Sequence, residues 1–432
     1  MNSADLPIDD RLTNMSGPEI KYNIVRALRL DENWRRRVSK ITRISKINNH
    51  RSVVDIQPLG REWLVISSRA PTYTIRLSLW RLEVSPSSGI INSSCAISFA
   101  PGHAYSFGAS FEDGDSTALI CVLGASTLTG IGRLTIYRIN LGGRQSDANF
   151  LRAPRVINEW TIDHSGVFYH SEISGSIVAA AIRHASHLNW DYIHQILLFN
   201  TKTNVTIRIE SPTLTRFDSG RMQFKIYSQH IVIVGAYQER VKVHVRKIPS
   251  QLFSDAKVSR ILEEHLIPSK DWDSYIVDYE TAKIGNLEFF ISPEPVYCSI
   301  LESFTVMVTH SPFSSMERGI ISIYRFPIDT NKQGLKFTDW NPLHTFPKPR
   351  NVTFEPTCLG KTGRRAVWLS HQWNADVYVL MKASFGDIVA PLQPQGQALP
   401  FEPHTCQSLY FEEATGRLFV AVTTGQIYIL EF

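Results

Sequence analysis

One strand-like pattern recurs seven times along this 432-residue chain, and it restricts the available folds more than any other feature. Each copy alternates apolar and polar residues, and most copies end in an aromatic residue followed by a basic or polar one. The copies are TIRLSLWRLE (74–83), GRLTIYRIN (132–140), HQILLFNTK (194–202), RVKVHVRKI (240–248), GIISIYRFPI (319–328), ADVYVLMKA (375–383) and GQIYILEF (425–432). Their mean spacing is about 58 residues. Recurrence at this interval indicates a repeat architecture.

Further strand patterns surround each copy and define the repeating unit. A more apolar strand precedes each copy, as in ALICVLG (118–124) and IVIVGA (231–236). Short continuous apolar runs of this kind are typical of strands buried on both faces. An earlier strand reaches that run through a Gly- or Asp-containing turn, as in FGASFEDGDST (107–117), and a weaker fourth strand follows, as in RVINEWTI (155–162). Four antiparallel strands repeated seven times predict an all-β fold, a seven-bladed β-propeller.

Other architectures fit the pattern less well. Stretches with helical periodicity are nearly absent after residue 36, which argues against an α/β fold of alternating strands and helices. The main exception is 249–270, which could carry a short helix within an insertion between the fourth and fifth units. A β-sandwich could account for one section of the chain, but two sandwiches would not explain a sevenfold register.

The two ends of the repeat region predict how the propeller is completed. The seventh unit reaches Phe432 with only three strands, and KITRISKIN (40–48) is a strand-like segment without a unit of its own. An incomplete propeller would leave two exposed sheet edges, which natural β proteins avoid. We therefore expect the propeller to span 40–432 and to be closed by pairing of 40–48 with 426–431.

Residues 1–39 form an N-terminal arm with a different pattern. Within PEIKYNIVRALRLDENWRRR (18–37), Ile20, Ile24 and Leu28 recur at helical spacing, and Pro18 suits the first turn of a helix. The sequence predicts one short amphipathic helix over about 18–29, followed by a turn and a basic connector.

The positive charge of the chain is concentrated in the same region. The whole chain has a net charge of +5, whereas residues 20–51 contain ten basic and two acidic side chains, a net +8. Arg35, Arg36, Arg37 and Lys40 form a basic arm beside Trp34 that could contact phosphates. A solvated linker between helix and propeller is the simpler interpretation, so nucleic acid is not the expected partner.

The sequence offers no set of residues for catalysis or metal binding. The five cysteines are odd in number and contain no Cys-x-x-Cys pair, which indicates reduced thiols in a cytoplasmic or nuclear protein. His184, His187 and His194 are predicted to be solvated residues of a hairpin loop, with a metal or pH-sensitive contact as the alternative. We expect no enzyme activity, no cofactor and no metal. The apolar runs are also too short to cross a bilayer, so no membrane partner is expected.

Three short motifs resemble a known family. They are Arg26–Arg35 (RALRLDENWR), Gly60–Leu64 (GREWL) and Leu79–Leu82 (LWRL). In this layout the chain resembles the F-box proteins of mushroom-type fungi, in which a last F-box helix runs into an Asn-Trp-Arg element followed by a WD-repeat-like propeller. The stretch from Leu6 to Trp34 has only 29 residues, so the F-box is truncated or degenerate.

The resemblance implies a substrate receptor, or a former receptor, of a cullin–RING ubiquitin ligase. The loops of the propeller would then hold a protein client, and the helix would face a Skp-type adaptor through Ile20, Ile24, Leu28 and Trp34. The alternative is a propeller scaffold unrelated to ubiquitin, with nucleic-acid contact through the basic region 20–51, which includes the basic arm. Both hypotheses assign a recognition role instead of catalysis.

Overall fold

The computed structural model describes most of the chain, and every structural statement below refers to these residues. They are 16–69, 74–85, 91–112, 114, 116–125, 131–141, 153–162, 166–185, 191–216, 222–227, 229–237, 240–254, 266–267, 272–278, 285–293, 295–298, 301–312, 319–328, 341–348, 352–360 and 362–432.

The strands form a seven-bladed β-propeller, and each blade has four antiparallel strands. The strands of blades 1 to 4, in sheet order, are Val53–Leu59, Trp63–Arg69, Ile75–Val84 and Ile91–Phe99; Ala104–Phe111, Thr117–Ala125, Gly132–Asn140 and Arg155–Ile162; Gly166–Ser174, Ile177–Ala185, Asp191–Asn200 and Val205–Arg216; and Met222–Tyr227, His230–Tyr237, Arg240–Lys247 and Asp273–Asp278.

Blades 5 to 7 repeat this arrangement. Their strands are Gly285–Ile291, Leu301–Pro312, Gly319–Pro327 and His344–Lys348; Val352–Leu359, Arg365–Gln372, Val377–Ser384 and Ile388–Pro391; and Cys406–Glu412, Arg417–Val422, Gln426–Glu431 and Arg43–Asn48. Short additional strands lie beside blade 3 (Leu266–Ile267) and blade 5 (Val296–Cys298).

The continuous apolar runs become the second strands of the blades because both of their faces are covered. In blade 2, the central five residues of Thr117–Ala125 are all buried. The same holds for every residue of Arg417–Val422 in blade 7. The third strands lie beside them and carry the recurring alternating pattern, as in Gly132–Asn140. The recurrence seen in the sequence is therefore the recurrence of one buried strand pair.

Blade 7 is assembled from two distant parts of the chain. Arg43–Asn48 pairs antiparallel with Gln426–Glu431, and Ile47 lies opposite Ile427. Backbone hydrogen bonds extend the pairing at both ends, from Thr42 N to Glu431 O at 2.8 Å and from Asn49 N to Gly425 O at 3.0 Å. The N-terminal strand thus supplies the fourth strand that the C-terminal repeat lacks.

One α-helix, α1, spans Gly17–Arg35. It is six residues longer at its C-terminal end than the predicted 18–29. The extension follows from a second apolar stripe, because Ala27, Leu30 and Trp34 recur at spacings of three and four and are buried. After the helix, Val38–Ser39 pairs in parallel with Gln393–Pro394, which leads the chain into blade 7.

The described residues group into two compact units. The first contains residues from 1–56, 82–93 and 281–432, and therefore α1 and blades 5 to 7. Its apolar cores include one cluster in which Leu30 and Trp34 join side chains of blades 6 and 7. The second contains residues from 57–81 and 94–280, and therefore blades 2 to 4, with cores such as the cluster between blades 3 and 4.

Of the segment 249–270, the structure describes 249–254 and 266–267. Ser250–Phe253 forms one 3₁₀ turn that buries Leu252, and Leu266–Ile267 adds a short strand to blade 3. The remainder of the predicted short helix, 255–265 and 268–270, lies outside the described residues. Across the part of the chain that the structure describes, no helix has the length and apolar character needed to cross a membrane.

Candidate interaction surface on helix α1

Helix α1 has two apolar faces with different environments. Ala27, Leu30 and Trp34 are buried, whereas Ile24 and Leu28 are 38% and 49% exposed. Val25 is exposed to a similar degree, and Ile20 is partly buried. One face therefore holds the helix to the first unit, and the other presents apolar side chains to solvent.

Trp34 is the main apolar anchor of the helix. Its side chain is fully buried, and its indole ring stacks on Phe411 with ring centroids 4.6 Å apart. The edge of Phe432 meets the ring at 4.9 Å. The indole Nε1 donates a 2.8 Å hydrogen bond to the Ala383 carbonyl, so its one polar group is satisfied. The position and the tilt of this tryptophan are therefore both fixed.

A buried lysine caps the C-terminal end of α1. Lys382 Nζ donates hydrogen bonds to the carbonyls of Trp34 at 2.9 Å and Arg36 at 2.6 Å, and to Ser39 Oγ at 2.6 Å. The last carbonyls of a helix have no partner within it and carry partial negative charge, so a cation is favourable there. Burial lowers the pKa of Lys382 to about 8. Lys382 thus connects the helix end, the following turn and the third strand of blade 6.

A buried ion-pair network fastens the middle of the helix. Arg365 pairs through one guanidinium nitrogen with Glu413 at 2.6 Å and through the other with Asp31 of α1. Glu413 also accepts hydrogen bonds from the Thr362 backbone N at 2.7 Å and from Thr362 Oγ1 at 2.8 Å. Removing charges from water is costly unless each is paired and hydrogen-bonded. This network pairs the charges of Arg365 and Glu413, and only the Nε of Arg365 is left without a hydrogen-bond partner within it.

The predicted adaptor-facing residues are divided between the two faces of the helix. Ile24 and Leu28 lie on the exposed face, with Ile20 partly covered. Trp34 lies inside the protein, so its side chain is not accessible to a partner of α1. Trp34 is buried because the helix continues beyond residue 29, which places its side chain on the face that packs against the propeller.

The anchoring residues were not identified from the sequence. Lys382 and Arg365 interrupt the apolar pattern of two blade 6 strands and are nevertheless buried. That interruption is a signal, because charged side chains are rarely buried without a partner. The partners of these charged side chains could not be identified from the sequence, because Asp31, for example, is 334 residues from Arg365.

The basic arm is largely engaged in ion pairs within the first unit. Arg35 lies 2.8 Å from Asp31 and 3.2 Å from Asp387, and Arg36 pairs with Glu32. Arg37 and Lys40 are exposed. The Lys40 backbone N donates a 2.7 Å hydrogen bond to Asn33 Oδ1, which holds the turn after the helix. Two of the three consecutive arginines therefore neutralise local acids.

The prediction of solvated loop histidines is wrong for His194. His194 lies in the third strand of blade 3, is fully buried, and its Nδ1 is 2.8 Å from the hydroxyl of Tyr169. Burial lowers its pKa to about 4. His184 is half-buried in the second strand, and His187 lies outside the described residues. The strands Ile177–Ala185 and Asp191–Asn200 extend further than the sequence suggested, which leaves a shorter loop.

Among the described residues, no group of three or more His, Cys, Asp or Glu side chains is arranged to hold a metal ion. The contacts of α1 described above consist of apolar packing, capping hydrogen bonds and ion pairs.

Comparison with known proteins yields structural relatives but no sequence family. No protein-family model matches the chain, and no curated protein matches its sequence. Among solved structures, the C-terminal WD40 domain of Sif2 is similar to this chain, with a TM-score of 0.44 and 8% sequence identity, over 91% of this chain and 99% of that chain. The propeller assignment itself rests on the strand order of the seven sheets.

Proposed function

We propose that the protein is a non-catalytic protein–protein recognition module in which the propeller binds a protein client and the outer face of α1 binds a Skp-type adaptor. The observation that carries the adaptor half is the exposed apolar stripe of Ile24, Val25 and Leu28 on a helix whose opposite face is firmly anchored. The resemblance of Arg26–Arg35 to the end of an F-box supports the choice of adaptor.

The anchoring favours binding because it fixes the exposed stripe before a partner arrives. A helix that must fold or reorient on binding loses part of its interaction free energy to ordering. Here Trp34, Lys382 and Arg365 hold α1 in place, so the stripe is presented on a rigid support. An apolar stripe on a helix is the kind of surface that a complementary groove of a partner recognises.

The client half of the proposal is supported by the length of the repeats. A mean spacing of about 58 residues exceeds the roughly 40–45 of ordinary WD-repeats, and the additional residues lie between strands. Loops on a rigid scaffold commonly carry binding residues. A recognition role also agrees with the anchoring of α1, which uses charged residues for attachment.

Co-expression with a Skp adaptor followed by size-exclusion chromatography tests the adaptor half. We expect the wild-type chain to co-elute with the adaptor and Ile24→Asp to abolish co-elution, because a carboxylate would be placed in the apolar contact. Leu343→Asp introduces the same side chain at an exposed apolar position outside α1 and should retain binding. Absence of co-elution with the wild-type chain would refute adaptor binding and leave a propeller scaffold.

A further inference from the structure

Blade 6 carries an exposed tryptophan at the turn between its second and third strands. Trp373 follows Arg365–Gln372 and is 66% exposed, the highest value among the exposed large apolar residues that the structure describes. Its indole Nε1 donates a 3.2 Å hydrogen bond to Thr353 Oγ1. The turn is tight, with Asp376 at a φ of +49°. The ring is therefore held in place although most of its surface is in water.

Three further rings continue from Trp373 along the blade. His371 stacks on Tyr378 with centroids 4.0 Å apart and planes 4° from parallel, and it also stacks against Trp373 at 6.2 Å. His404, which precedes the first strand of blade 7, lies 6.1 Å from Tyr378. We call Trp373, His371, Tyr378 and His404 the aromatic row. It joins a hairpin turn of blade 6 to the connection between blades 6 and 7.

Carboxylates accompany the aromatic row. Asp376 Oδ1 lies 3.1 Å from His371 Nε2, and Glu402 Oε2 lies 3.4 Å from His404 Nδ1. Both carboxylate side chains are highly exposed. The segments 371–378 and 399–405, which form the row and its surroundings in sequence, contain no lysine or arginine. The surface thus combines π faces with negative charge.

We propose that the aromatic row is a binding site for an arginine side chain of the protein client. The guanidinium plane stacks on the exposed indole of Trp373, and the exposed carboxylate of Asp376 in the same turn accepts its hydrogen bonds. This inference deepens the proposed function and rests on its client half. It does not depend on adaptor binding, because α1 contributes no residue to the row.

Arginine fits this site better than lysine for two physical reasons. Its planar, weakly hydrated guanidinium stacks on aromatic faces, whereas an ammonium is a compact and strongly hydrated charge. Its five donors are arranged in a fork that matches a carboxylate, so one side chain can stack and pair at the same time. Tryptophan is also the strongest of the aromatic residues in cation–π contacts.

Trp373 has the features of a binding hot spot, whereas Tyr378 attaches the row to the core of blades 6 and 7. Tryptophan and tyrosine dominate the energetics of protein interfaces, particularly where they are rigid before binding. Trp373 is fixed by Thr353 and by the hairpin, yet its ring covers no core. The exposed carboxylate of Asp376 lies in the same turn as Trp373, which would favour a cationic partner.

Acetylated and amidated octapeptides of alternating Gly and Arg, Gly and Lys, or Gly and Glu serve as probes in titrations followed by NMR. We expect the Arg peptide to bind, the Lys peptide to bind several-fold more weakly, and the Glu peptide not to bind. Trp373→Ala should weaken Arg-peptide binding by about ten-fold, a cation–π contact of ordinary size. Asp376→Asn, which tolerates the positive φ, should weaken it by about three-fold.

Matched controls separate this site from general attraction of cations. Leu343→Ala removes another exposed apolar side chain, and Glu62→Gln removes another exposed carboxylate, so neither should change the affinity. Ile24→Asp should also leave peptide binding intact, which separates this result from the adaptor test. Equal affinities for the Arg and Lys peptides, no binding of the Arg peptide, or unchanged binding by Trp373→Ala would each overturn the proposal.

Discussion

Lys382 contacts Trp34 in two ways: its Nζ donates a 2.9 Å hydrogen bond to the Trp34 carbonyl and lies 5.7 Å from the centre of the indole ring. The backbone contact caps the end of α1, and the ring contact holds the side chain that anchors it. The helix and the third strand of blade 6 are therefore fastened at one point, and the outer face of α1 has a defined orientation.

Trp34→Ala should destabilise the protein by about 4 kcal/mol, because it removes a buried indole and leaves a cavity against Phe411. The measurement is urea-induced unfolding followed by circular dichroism. Leu28→Ala on the exposed face of the same helix is the control and should change the free energy of unfolding by less than about 0.5 kcal/mol. Equal effects of the two substitutions would show that α1 does not pack through Trp34.

Arg365→Met should cost about 4 kcal/mol, because Glu413 then remains buried without its cationic partner. Adding Glu413→Gln should recover part of the loss, since the glutamine is neutral and can still accept a hydrogen bond from Thr362. Chemical denaturation of the single and double variants measures this coupling. Arg36→Met breaks an exposed ion pair and should have an effect below about 0.5 kcal/mol. A double variant less stable than Arg365→Met would contradict the explanation.

Ile47→Ala should reduce stability by about 3 kcal/mol, because Ile47 points into the core from the N-terminal strand of blade 7. Lys46 occupies the adjacent position on the opposite, exposed face, and Lys46→Ala should cost less than about 1 kcal/mol. Thermal unfolding of both variants tests whether this strand is part of the cooperative fold. Similar melting temperatures for the two variants would mean that the strand contributes little.

Stability should fall as the pH decreases from about 6.5 to 4. Burial lowers the pKa of His194 and of His244 to about 4, below the ordinary value of about 6.5 that they regain on unfolding. The unfolded state therefore binds more protons in this range, so stability rises with pH and is lost on acidification. By linkage, each of these histidines accounts for about 3 kcal/mol of the stability that is lost on acidification.

Melting temperatures of the wild-type chain and His194→Gln between pH 7 and pH 4 test this expectation. The glutamine does not titrate, so the variant should lose less stability on acidification than the wild-type chain does. Leu28→Ala replaces an exposed side chain that does not titrate and should leave the pH profile unchanged. Parallel profiles for the wild-type chain and His194→Gln would show that His194 is not the titrating group.

The blades were predictable because each is a local pattern. Apolar runs such as 118–124 and alternating strands such as 132–140 occur in the structure at the expected places in blade 2. The chain segment 40–48 was expected opposite 426–431, and the structure pairs Arg43–Asn48 with Gln426–Glu431. This pairing was predictable because the C-terminal repeat lacks its fourth strand and the N-terminal segment 40–48 is a strand without a repeat of its own.

The attachment of α1 was not predictable because its determinants lie far apart in sequence. The stripe of Ile20, Ile24 and Leu28 is more regular than the stripe of Ala27, Leu30 and Trp34, yet the second one is buried. The choice depends on Lys382 and Arg365, which lie 348 and 334 residues after their helix partners Trp34 and Asp31. Periodicity alone cannot pair residues at such separations. The aromatic row was missed for a similar reason, since His404 joins it only through folding.

The construction of blade 7 affects the order in which the protein can fold during synthesis. Arg43 leaves the ribosome 388 residues before its partner Glu431. At roughly 5–20 residues per second, that interval lasts about 20 to 80 s, during which Arg43–Asn48 has no neighbouring strand to pair with. Trp34 waits a similar time for its ring partners Phe411 and Phe432. The first of the blade strands to be made is therefore among the last to be paired, and its edge lacks a partner strand during most of translation.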